Sequence, residues 1–299
     1  MMEILENCNL CPRNCGVNRL AGELGFCGAS NSIKLARVSL HHFEEPCISG
    51  KNGSGTVFFS NCSLRCVFCQ NHQISQEGFG TEVTIKRLAE IFLELQNNKA
   101  HNINLVTPTH YVPQIISALK LSKKSGLTLP IIYNSSGYEN LETLKMLKGY
   151  IDVYVPDLKY FKNKYAIKYS NAKDYFHYAR IAIEEMFSQV GTVKFSDSDL
   201  VIKGVIIRHL MLPGLLFDSK KIIDYISQTF GHKVFVSIMN QYTPMFKVSK
   251  YPELDKTLNP EHYDALIQYA LSKGITNGFI QDTGSSSKEF IPDFDLRGI

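Results

Sequence analysis

Short apolar runs alternate with longer amphipathic stretches along most of the chain. Six runs are too uniformly apolar to alternate between two faces, and they are predicted as buried strands at 56–60, 102–106, 130–134, 151–155, 202–210 and 233–239. Apolar positions at helical spacing predict helices at 84–98, 112–124, 139–148, 174–190, 218–230 and 260–273. Strands and helices in this alternation are typical of a parallel sheet covered by helices.

The six βα units predict an α/β fold, a partial (β/α)6 TIM-like barrel that is not fully closed. A doubly wound open sheet is the alternative, because strand order cannot be derived from one sequence. No Gly-x-Gly-x-x-Gly turn or Walker sequence follows any of these strands to favour it. The predicted division is a small Cys-rich, metal-binding extension over residues 1–50 and a core of barrel and C-terminal segment over 51–299.

Charge and hydropathy exclude two classes of partner. The net charge of +4 comes from 32 basic and 28 acidic residues spread along the 299 residues without a block, so we expect no nucleic-acid partner. The first residues lack an export signal, and the most apolar stretch, 201–217, is interrupted by Lys203, Arg208, His209 and Pro213, so we expect no membrane span. Eight cysteines without an export signal indicate a reducing compartment, and the expected location is the cytoplasm.

Three cysteines lie on the segment SNCSLRCVFCQN, residues 60–71, directly after the first predicted strand. They are Cys62, Cys66 and Cys69. In parallel α/β folds the ligand site lies at the carboxyl ends of the strands. Thiolates select soft metals, and each of the four irons of a [4Fe-4S] cluster needs an outer ligand, so three cysteines leave one iron open. The alternative is a site closed by a remote cysteine, either zinc or a passive electron-transfer centre.

Four more cysteines lie within the first 27 residues, in CNLCPRNCG and GELGFCG. Cys8, Cys11, Cys15 and Cys27 can close one tetrahedral zinc site or bind a second iron-sulfur cluster, and spacing does not separate the two. Such a site is predicted to be structural or to relay electrons. Unligated redox thiols are the alternative. Cys47 is isolated and is assigned no role.

The three-cysteine motif, with Phe68 before its last cysteine, resembles the signature of the radical S-adenosylmethionine (radical SAM) superfamily. Segments 134–139, 152–160 and 206–214 resemble the activating enzymes of pyruvate formate-lyase, and the N-terminal cysteines resemble the PflX-like subgroup. The resemblance implies a [4Fe-4S] cluster whose open iron chelates S-adenosylmethionine. Reductive cleavage then yields methionine and a 5′-deoxyadenosyl radical. Phe68 is counted among the cofactor-binding residues.

The resemblance carries further cofactor-binding residues at the ends of the second and third strands. Relatives have Gly-Gly-Glu-Pro where this chain has VTPTH, so Thr107, Thr109 and His110 are predicted as substitute acceptors. An ordinary polar turn is the alternative. Asn134 and Ser135 match the Asp-Thr-Asn-Gly segment of relatives and can bind cofactor hydroxyls or carboxylate.

The later strands carry the predicted catalytic residues. Asp157 and Lys159 preserve an Asp-x-Lys pattern and, two residues apart on a strand, face the same side. A plain structural ion pair is the alternative. Arg208 matches an arginine of the activating enzymes, and its planar fork suits a carboxylate or peptide backbone, whereas His209 is predicted to face a helix or the core. Gln241 lies where relatives have a Tyr-His pair and is predicted to bind cofactor.

The expected function is therefore reductive cleavage of S-adenosylmethionine for hydrogen abstraction, in activation of a glycyl radical enzyme as a protein substrate. The expected electron donor is a flavodoxin or ferredoxin. Two alternatives stay open at this point. One is a radical SAM enzyme that acts on a small molecule or nucleic acid, and the other is a non-catalytic iron-sulfur electron-transfer protein.

Overall fold

Ten strands join one sheet in the computed structural model, which describes residues 2–281 and 292–299. The strands are β1 Ile33–His41, β2 Ser54–Phe59, β3 Thr81–Val83, β4 Ile103–Val106, β5 Ile131–Ser135, β6 Val153–Pro156, β7 Lys194–Phe195, β8 Val201–Leu210, β9 Phe235–Met239 and β10 Gly278–Ile280. The helices are α1 Pro46–Ser49, α2 His72–Ser75, α3 Ile85–Asn97, α4 Val112–Lys124, α5 Leu141–Met146, α6 Asn163–Ser170, α7 Tyr175–Val190, α8 Leu216–Phe230 and α9 Pro260–Ser272.

The parallel part of the sheet follows chain order. The six predicted strands are present as β2, β4, β5, β6, β8 and β9, each beside the next, and β10 adds another parallel strand at the β9 edge. A doubly wound sheet reverses its order at a switch point, and this order contains no reversal. The α/β fold and the open, partial TIM-like barrel are thus confirmed, and the doubly wound alternative is wrong.

The predicted strands omitted β1, which runs antiparallel to β2. Its sequence IKLARVSLH buries Ile33 and Leu35 but alternates with polar residues, and its register shifts between Leu35 and Arg37. A search for uniformly apolar runs overlooks such a strand, because antiparallel strands read as alternating. The division at residue 50 stays a prediction, and the structure adds that a strand from its N-terminal side pairs with the barrel.

The crossover helix α3 illustrates how the sequence forms the outer layer. The Thr84 side chain accepts from the backbone N–H of Arg87 and caps the helix start. The helix then buries Leu88, Ile91 and Phe92 completely, at about 1.5–3 kcal/mol for each side chain. Without this layer the apolar β2, buried along its whole length, would face water.

The short helix α1 covers the barrel end at which the parallel strands begin. Its Cys47 and Ile48 pack in one apolar cluster with Ile132, Val153 and Val201, which lie near the starts of β5, β6 and β8. The segment between β1 and α1 enters the barrel from this end, because His41 pairs with Ser54, the first residue of β2. Over the described parts of the chain, no helix combines the length and apolar character that crossing a membrane requires.

Candidate functional site

A cavity of about 440 Å³ opens among the strands of the barrel. Eight of the ten predicted site residues outside the metal set line it, together with the three cysteines of the loop after β2. Those that line the cavity are Cys62, Cys66, Cys69, Phe68, Thr107, Asn134, Ser135, Asp157, Lys159, Arg208 and Gln241. The barrel therefore gathers at one cavity residues from six different strand ends, and their roles stay predictions.

The cysteine loop is held by backbone bonds to the end of α6. The N–H of Arg65 donates to Ser170 O over 3.3 Å, and the N–H of Val67 donates to Tyr169 O over 2.8 Å. Val67 O in turn accepts from the N–H of Lys247 over 3.1 Å. Because the middle of the loop is bonded to two other segments of the chain, the three sulfurs are presented from a fixed backbone.

Each sulfur of the loop has a hydrogen-bonding partner. Ser170 Oγ donates to Cys66 Sγ over 3.0 Å, and Leu64 N donates to Cys62 Sγ over 3.4 Å. Cys69 Sγ lies 3.2 Å from Ser75 Oγ. These donors favour thiolates, as second-shell groups do around metal-bound sulfur.

Burial has the opposite effect on the free thiols. It raises the pKa of all three, and the neighbouring Cys66 sulfur adds to the rise at Cys62 and Cys69, where the pKa of Cys69 reaches about 11. None of the three forms a disulfide. Thiols this close and this buried keep their protons in water near neutral pH, and a bound soft metal is the usual means of displacing them.

The donor set of the loop fits an iron-sulfur cluster. Among residues 2–281 and 292–299, no three His, Cys, Asp or Glu side chains are arranged to hold a single metal ion. One zinc draws its thiolates to about 2.3 Å from a common centre, whereas a cubane distributes its ligands over separate irons. Three thiolates on the wall of one cavity can supply outer ligands for three irons of such a cluster.

Asp157 and Lys159 form an ion pair on the cavity wall. Lys159 Nζ donates to Asp157 Oδ2 over 2.5 Å, and the side chains are 17% and 27% exposed, respectively. Burial would lower the pKa of Lys159, but Asp157 and the Cys66 sulfur outweigh it and raise that pKa. The ammonium therefore stays charged beside the cysteine loop. Tyr175 OH accepts from Lys159 N over 3.0 Å and fixes this strand end.

Arg208 lines the cavity, but N–H donors of its guanidinium are already bonded within the chain. Its Nε donates to Glu45 Oε1 over 2.9 Å, and its NH2 donates to both Glu45 Oε2 and Glu44 Oε2. Burial alone would raise the pKa of Glu45, but Arg208 outweighs it and lowers that pKa. The prediction that Arg208 receives a carboxylate of the cofactor or a peptide backbone must therefore account for two carboxylates of the chain that already occupy its donors.

Two predicted cofactor contacts need correction. Thr109 and His110 do not line the cavity, and both are 2% exposed. Thr109 Oγ1 donates to Glu139 Oε1 over 2.6 Å, and His110 Nε2 lies 2.8 Å from Ser60 O. The reason is a 3-10 turn directly after Thr107, which directs these two side chains into the protein interior and leaves Thr107 alone at the cavity.

The remaining predicted cofactor contacts, Asn134, Ser135 and Gln241, line the cavity. Asn134 and Ser135 end β5, where Ser135 Oγ accepts from Gly137 N over 3.2 Å. Gln241 is tied to the cysteine loop, because Gln70 Nε2 donates to its carbonyl oxygen over 2.9 Å. His209 is buried as predicted, with Nε2 2.9 Å from Ser219 Oγ on α8.

The four N-terminal cysteines lie in one loop region and carry no disulfide. Burial raises the pKa of Cys11 and of Cys27, and the charges of neighbouring cysteines, Cys15 among them, act in the same direction on both. Phe26 N donates to Cys15 Sγ over 3.3 Å. Mutual electrostatic influence places these sulfurs near one another, although, in the described ranges, they are not set around one ion.

Two arginines, the half-buried Arg13 and the buried Arg19, attach this N-terminal region to the barrel. Arg13 Nε donates to Ser63 O inside the cysteine loop, and Arg19 NH1 donates to His110 O over 2.7 Å. Burial lowers the pKa of Arg13, while the sulfurs of Cys11 and Cys62 act against that shift. Arg13 thus lies within electrostatic range of both cysteine groups. Sequence reasoning passed over Arg13, and over Glu44 and Glu45, because no local pattern marks them as buried.

Comparisons with known proteins agree with this architecture. The profile of the Radical SAM superfamily matches residues 56–226. An uncharacterized protein of Methanocaldococcus jannaschii is 32% identical over 279 residues, covering 89% of this chain and 75% of the relative. These matches concern sequence, and they extend across the cysteine loop and the whole series of βα units.

Solved structures add similarity of fold. The FeFe-hydrogenase maturase HydG from Carboxydothermus hydrogenoformans aligns with a TM-score of 0.51 at 14% identity, over 73% of this chain and 50% of HydG. SuiB of Streptococcus suis, solved with its precursor peptide SuiA, aligns with a TM-score of 0.49 at 14% identity, over 74% of this chain and 46% of SuiB. The chain thus spans about half the length of these two structures.

Proposed function

The chain belongs to the radical SAM superfamily, and on this premise we propose that it is an enzyme that reductively cleaves S-adenosylmethionine at a [4Fe-4S] cluster bound by Cys62, Cys66 and Cys69. The observation that carries the proposal is the placement of all three sulfurs on the wall of one cavity with the charged Lys159. Three thiolate ligands leave one iron free to chelate the cofactor.

A [4Fe-4S] cluster held by Cys62, Cys66 and Cys69 would supply the electron for cleavage of the sulfonium, which would release methionine and a 5′-deoxyadenosyl radical able to abstract a hydrogen atom from the substrate. The chain's own residues bind and orient the cofactor. The Lys159 ammonium, held by Asp157, can attract a carboxylate. Asn134 and Ser135 at the end of β5 can hydrogen-bond cofactor hydroxyls.

The test is anaerobic reconstitution with iron and sulfide, followed by dithionite and S-adenosylmethionine. We expect equal amounts of methionine and 5′-deoxyadenosine, and a spectrum of the reduced cluster that changes when S-adenosylmethionine is added. A reconstituted cluster with neither effect would identify an electron carrier instead. The matched control is Cys66→Ser, which should lose both signals, whereas Cys47→Ser should keep them.

We propose a protein substrate, a glycyl radical enzyme, as the target of the hydrogen abstraction, with a flavodoxin or ferredoxin as the electron donor to the cluster. The support is the Asp-x-Lys pair at the end of β6, which the activating enzymes share by resemblance, and its location beside the cysteine loop. Incubation of the reduced holoenzyme with a glycyl radical enzyme from the same genome should produce a backbone radical signal in electron paramagnetic resonance. No signal with an active, cleaving holoenzyme would reject this target.

A small-molecule substrate is the second candidate, and one observation favours it. The cavity continues into the barrel as far as Glu44 and Glu45, on the segment that enters from the opposite end. A pocket of this size holds small ligands. The two candidates separate when cell extract is divided by filtration, because the fraction that stimulates 5′-deoxyadenosine formation is either the low-mass filtrate or the retained protein.

The N-terminal cysteines form a second, closed metal site in this proposal, either zinc or an iron-sulfur cluster. The support is the mutual influence of four undisulfided thiols in one loop region. Four ligands saturate a tetrahedral zinc or all irons of one cubane, so no position is left for S-adenosylmethionine. Replacing all four with serine should remove one metal equivalent. Unchanged zinc and iron content would refute the site.

A further inference from the structure

The two carboxylates opposite Arg208 leave the cavity with an unbalanced charge. Arg208 is 8% exposed and Glu45 8% exposed, and the Glu44 side chain is 10% exposed. One guanidinium therefore pairs with two carboxylates that are largely shielded from water. Burial outweighs the charge of Glu44 and lowers the pKa of the adjacent His41, so that imidazole adds no positive charge near neutral pH.

The other charged residues of the wall do not restore the balance. Asp157 and Lys159 neutralise each other. Among the lining residues that the structure describes, the acids are Glu44, Glu45 and Asp157, and the bases are Lys159 and Arg208. One negative charge remains, and it belongs to the end of the cavity formed by Glu44 and Glu45. An unpaired charge in such a place is costly unless a ligand compensates it.

A second observation at the same end shows how Glu44 is held. Asn104, on β4, is fully buried, and its Nδ2 donates to Glu44 Oε1 over 2.9 Å. Its Oδ1 has no hydrogen-bond partner within the described part of the chain. Asn104 itself does not line the cavity, so its amide group fixes the Glu44 carboxylate, which does. A ligand with positively charged N–H groups supplies the charge that the wall lacks at Glu44.

This end of the cavity is separate from the predicted cofactor position. Asn104 pairs in register with Thr56, three residues before the end of β2, and the cysteine loop begins beyond that end. Three strand residues span about 10 Å. A cofactor chelated at the cysteine loop therefore leaves the region of Glu44 to a second molecule, which in a radical SAM enzyme is the substrate.

We propose that Glu44, supported by Asn104, Glu45 and Arg208, recognises a protonated amino or guanidinium group of the substrate. The inference rests on the proposed function for the identity of that second molecule. The shared chemistry is an organic cation, which a small amine or a lysine or arginine side chain of a protein substrate can supply. Arg208 is then a positioning residue, which holds Glu45 and orients Glu44.

The experiment measures binding and not turnover, so that it fails independently of the cleavage assay. Oxidised holoenzyme saturated with S-adenosylmethionine is titrated calorimetrically with agmatine and with N- and C-blocked Gly-Lys-Gly, Gly-Nle-Gly and Gly-Glu-Gly. We expect at least one of the two cationic probes, agmatine or the lysine peptide, to bind about tenfold or more tighter than the norleucine peptide. Tighter binding of agmatine than of the lysine peptide indicates a small amine, and the reverse order indicates a protein side chain.

The matched variants are Glu44→Gln, which keeps shape and removes the charge, and Glu82→Gln on the exposed β3 strand. The preference for cations should fall to less than about twofold in the first and persist in the second. Equal affinities of all probes, no binding of any, or displacement of S-adenosylmethionine by the cationic probes would overturn the proposal. The comparison on the unmodified holoenzyme holds even if Glu44→Gln fails to fold.

Discussion

Arg13 donates from Nε to the carbonyl oxygen of Ser63 over 2.9 Å, across a sequence separation of 50 residues. Ser63 lies between Cys62 and Cys66, so this bond joins the N-terminal region directly to the cysteine loop. The Arg13 guanidinium also lies 3.7 Å from the centre of the Phe26 ring. One side chain thus connects the two cysteine groups.

Arg13→Ala should lower the free energy of unfolding by about 2 kcal/mol, because it removes a charged hydrogen bond and a cation–π contact. Urea denaturation measures the loss, and hydrogen exchange should show that residues 8–28 lose protection first. Arg180→Ala, at an exposed position on α7, is the control and should stay within about 0.5 kcal/mol of the parent. Equal stability of the two variants would contradict the bridging role.

Single replacements of the loop cysteines should abolish the first cluster. Cys62→Ser, Cys66→Ser and Cys69→Ser each remove one of three ligands, and a cubane with two protein ligands is not expected to survive purification. Iron and sulfide analysis after reconstitution measures the effect. Cys47→Ser is the control. Cys47 lies on α1 and packs against apolar residues of the strands, so this variant should retain the full iron content. Full iron in a loop variant would refute the ligand assignment.

Gly137→Ala should disturb the Asp157–Lys159 pair. Gly137 has φ +73°, and an added Cβ would lie 2.3 Å from the carbonyl oxygen of Asp157. Left-handed backbone alone costs a non-glycine residue about 1–2 kcal/mol. Gly126→Ala, with φ +98° and nothing within 4 Å of the added Cβ, carries only that cost and is the matched control.

We expect Gly137→Ala to be less stable than Gly126→Ala by about 2 kcal/mol, because the backbone of Asp157 must move to relieve the overlap. The affinity for S-adenosylmethionine should also fall in the first variant and not in the second. Matching urea midpoints for the two alanine variants would show that the turn tolerates a Cβ and does not position Asp157.

Glu139 should make stability depend on pH. Burial raises its pKa to about 7, more than the hydrogen bonds from Thr109 and Tyr133 lower it. An unfolded glutamate titrates near about 4.3. Between those values the folded state keeps a proton that the unfolded state has released, so the free energy of unfolding falls as pH rises, by about 4 kcal/mol in all.

Glu139→Gln removes this dependence. The variant should exceed the parent in stability at pH 8 and converge with it near pH 4, as measured by urea denaturation across that range. Glu142→Gln, at an exposed position on α5, should follow the parent at every pH. A parent whose stability does not fall between pH 5 and pH 7, relative to Glu139→Gln, would show that Glu139 is ionised in the folded protein.

The sequence was sufficient for the parallel core because uniformly apolar runs have few other uses in a chain of this composition. Each of the six predicted strands begins within three residues of its counterpart in the structure. The helix 112–124 coincides with α4. The cysteine loop was predictable for a similar reason, since three thiols at close spacing have few functions. β1 was overlooked because its apolar residues alternate with polar ones, whereas the search relied on uniformly apolar runs.

Residues that meet across long separations were beyond sequence reasoning. Glu45 reaches Arg208 across 163 positions, and although Arg208 lies in a predicted strand, no local pattern marks Glu45 as its partner. The opposite error concerns Thr109 and His110, which had the right chemistry at the right strand end. Their direction depends on a single 3-10 turn after Thr107, and turn geometry of that kind does not follow from residue type.

The chain order of the parallel strands bears on how the protein forms during synthesis. Each of β4, β5, β6, β8 and β9 finds its partner already present when it leaves the ribosome, because that partner is the parallel strand before it in the sequence. The sheet can therefore grow from one edge while translation continues, without waiting for distant segments. The Glu44 and Glu45 carboxylates are the exception. They stay solvated until β8 brings Arg208, so the interior of the cavity is completed after the sheet that encloses it has largely assembled.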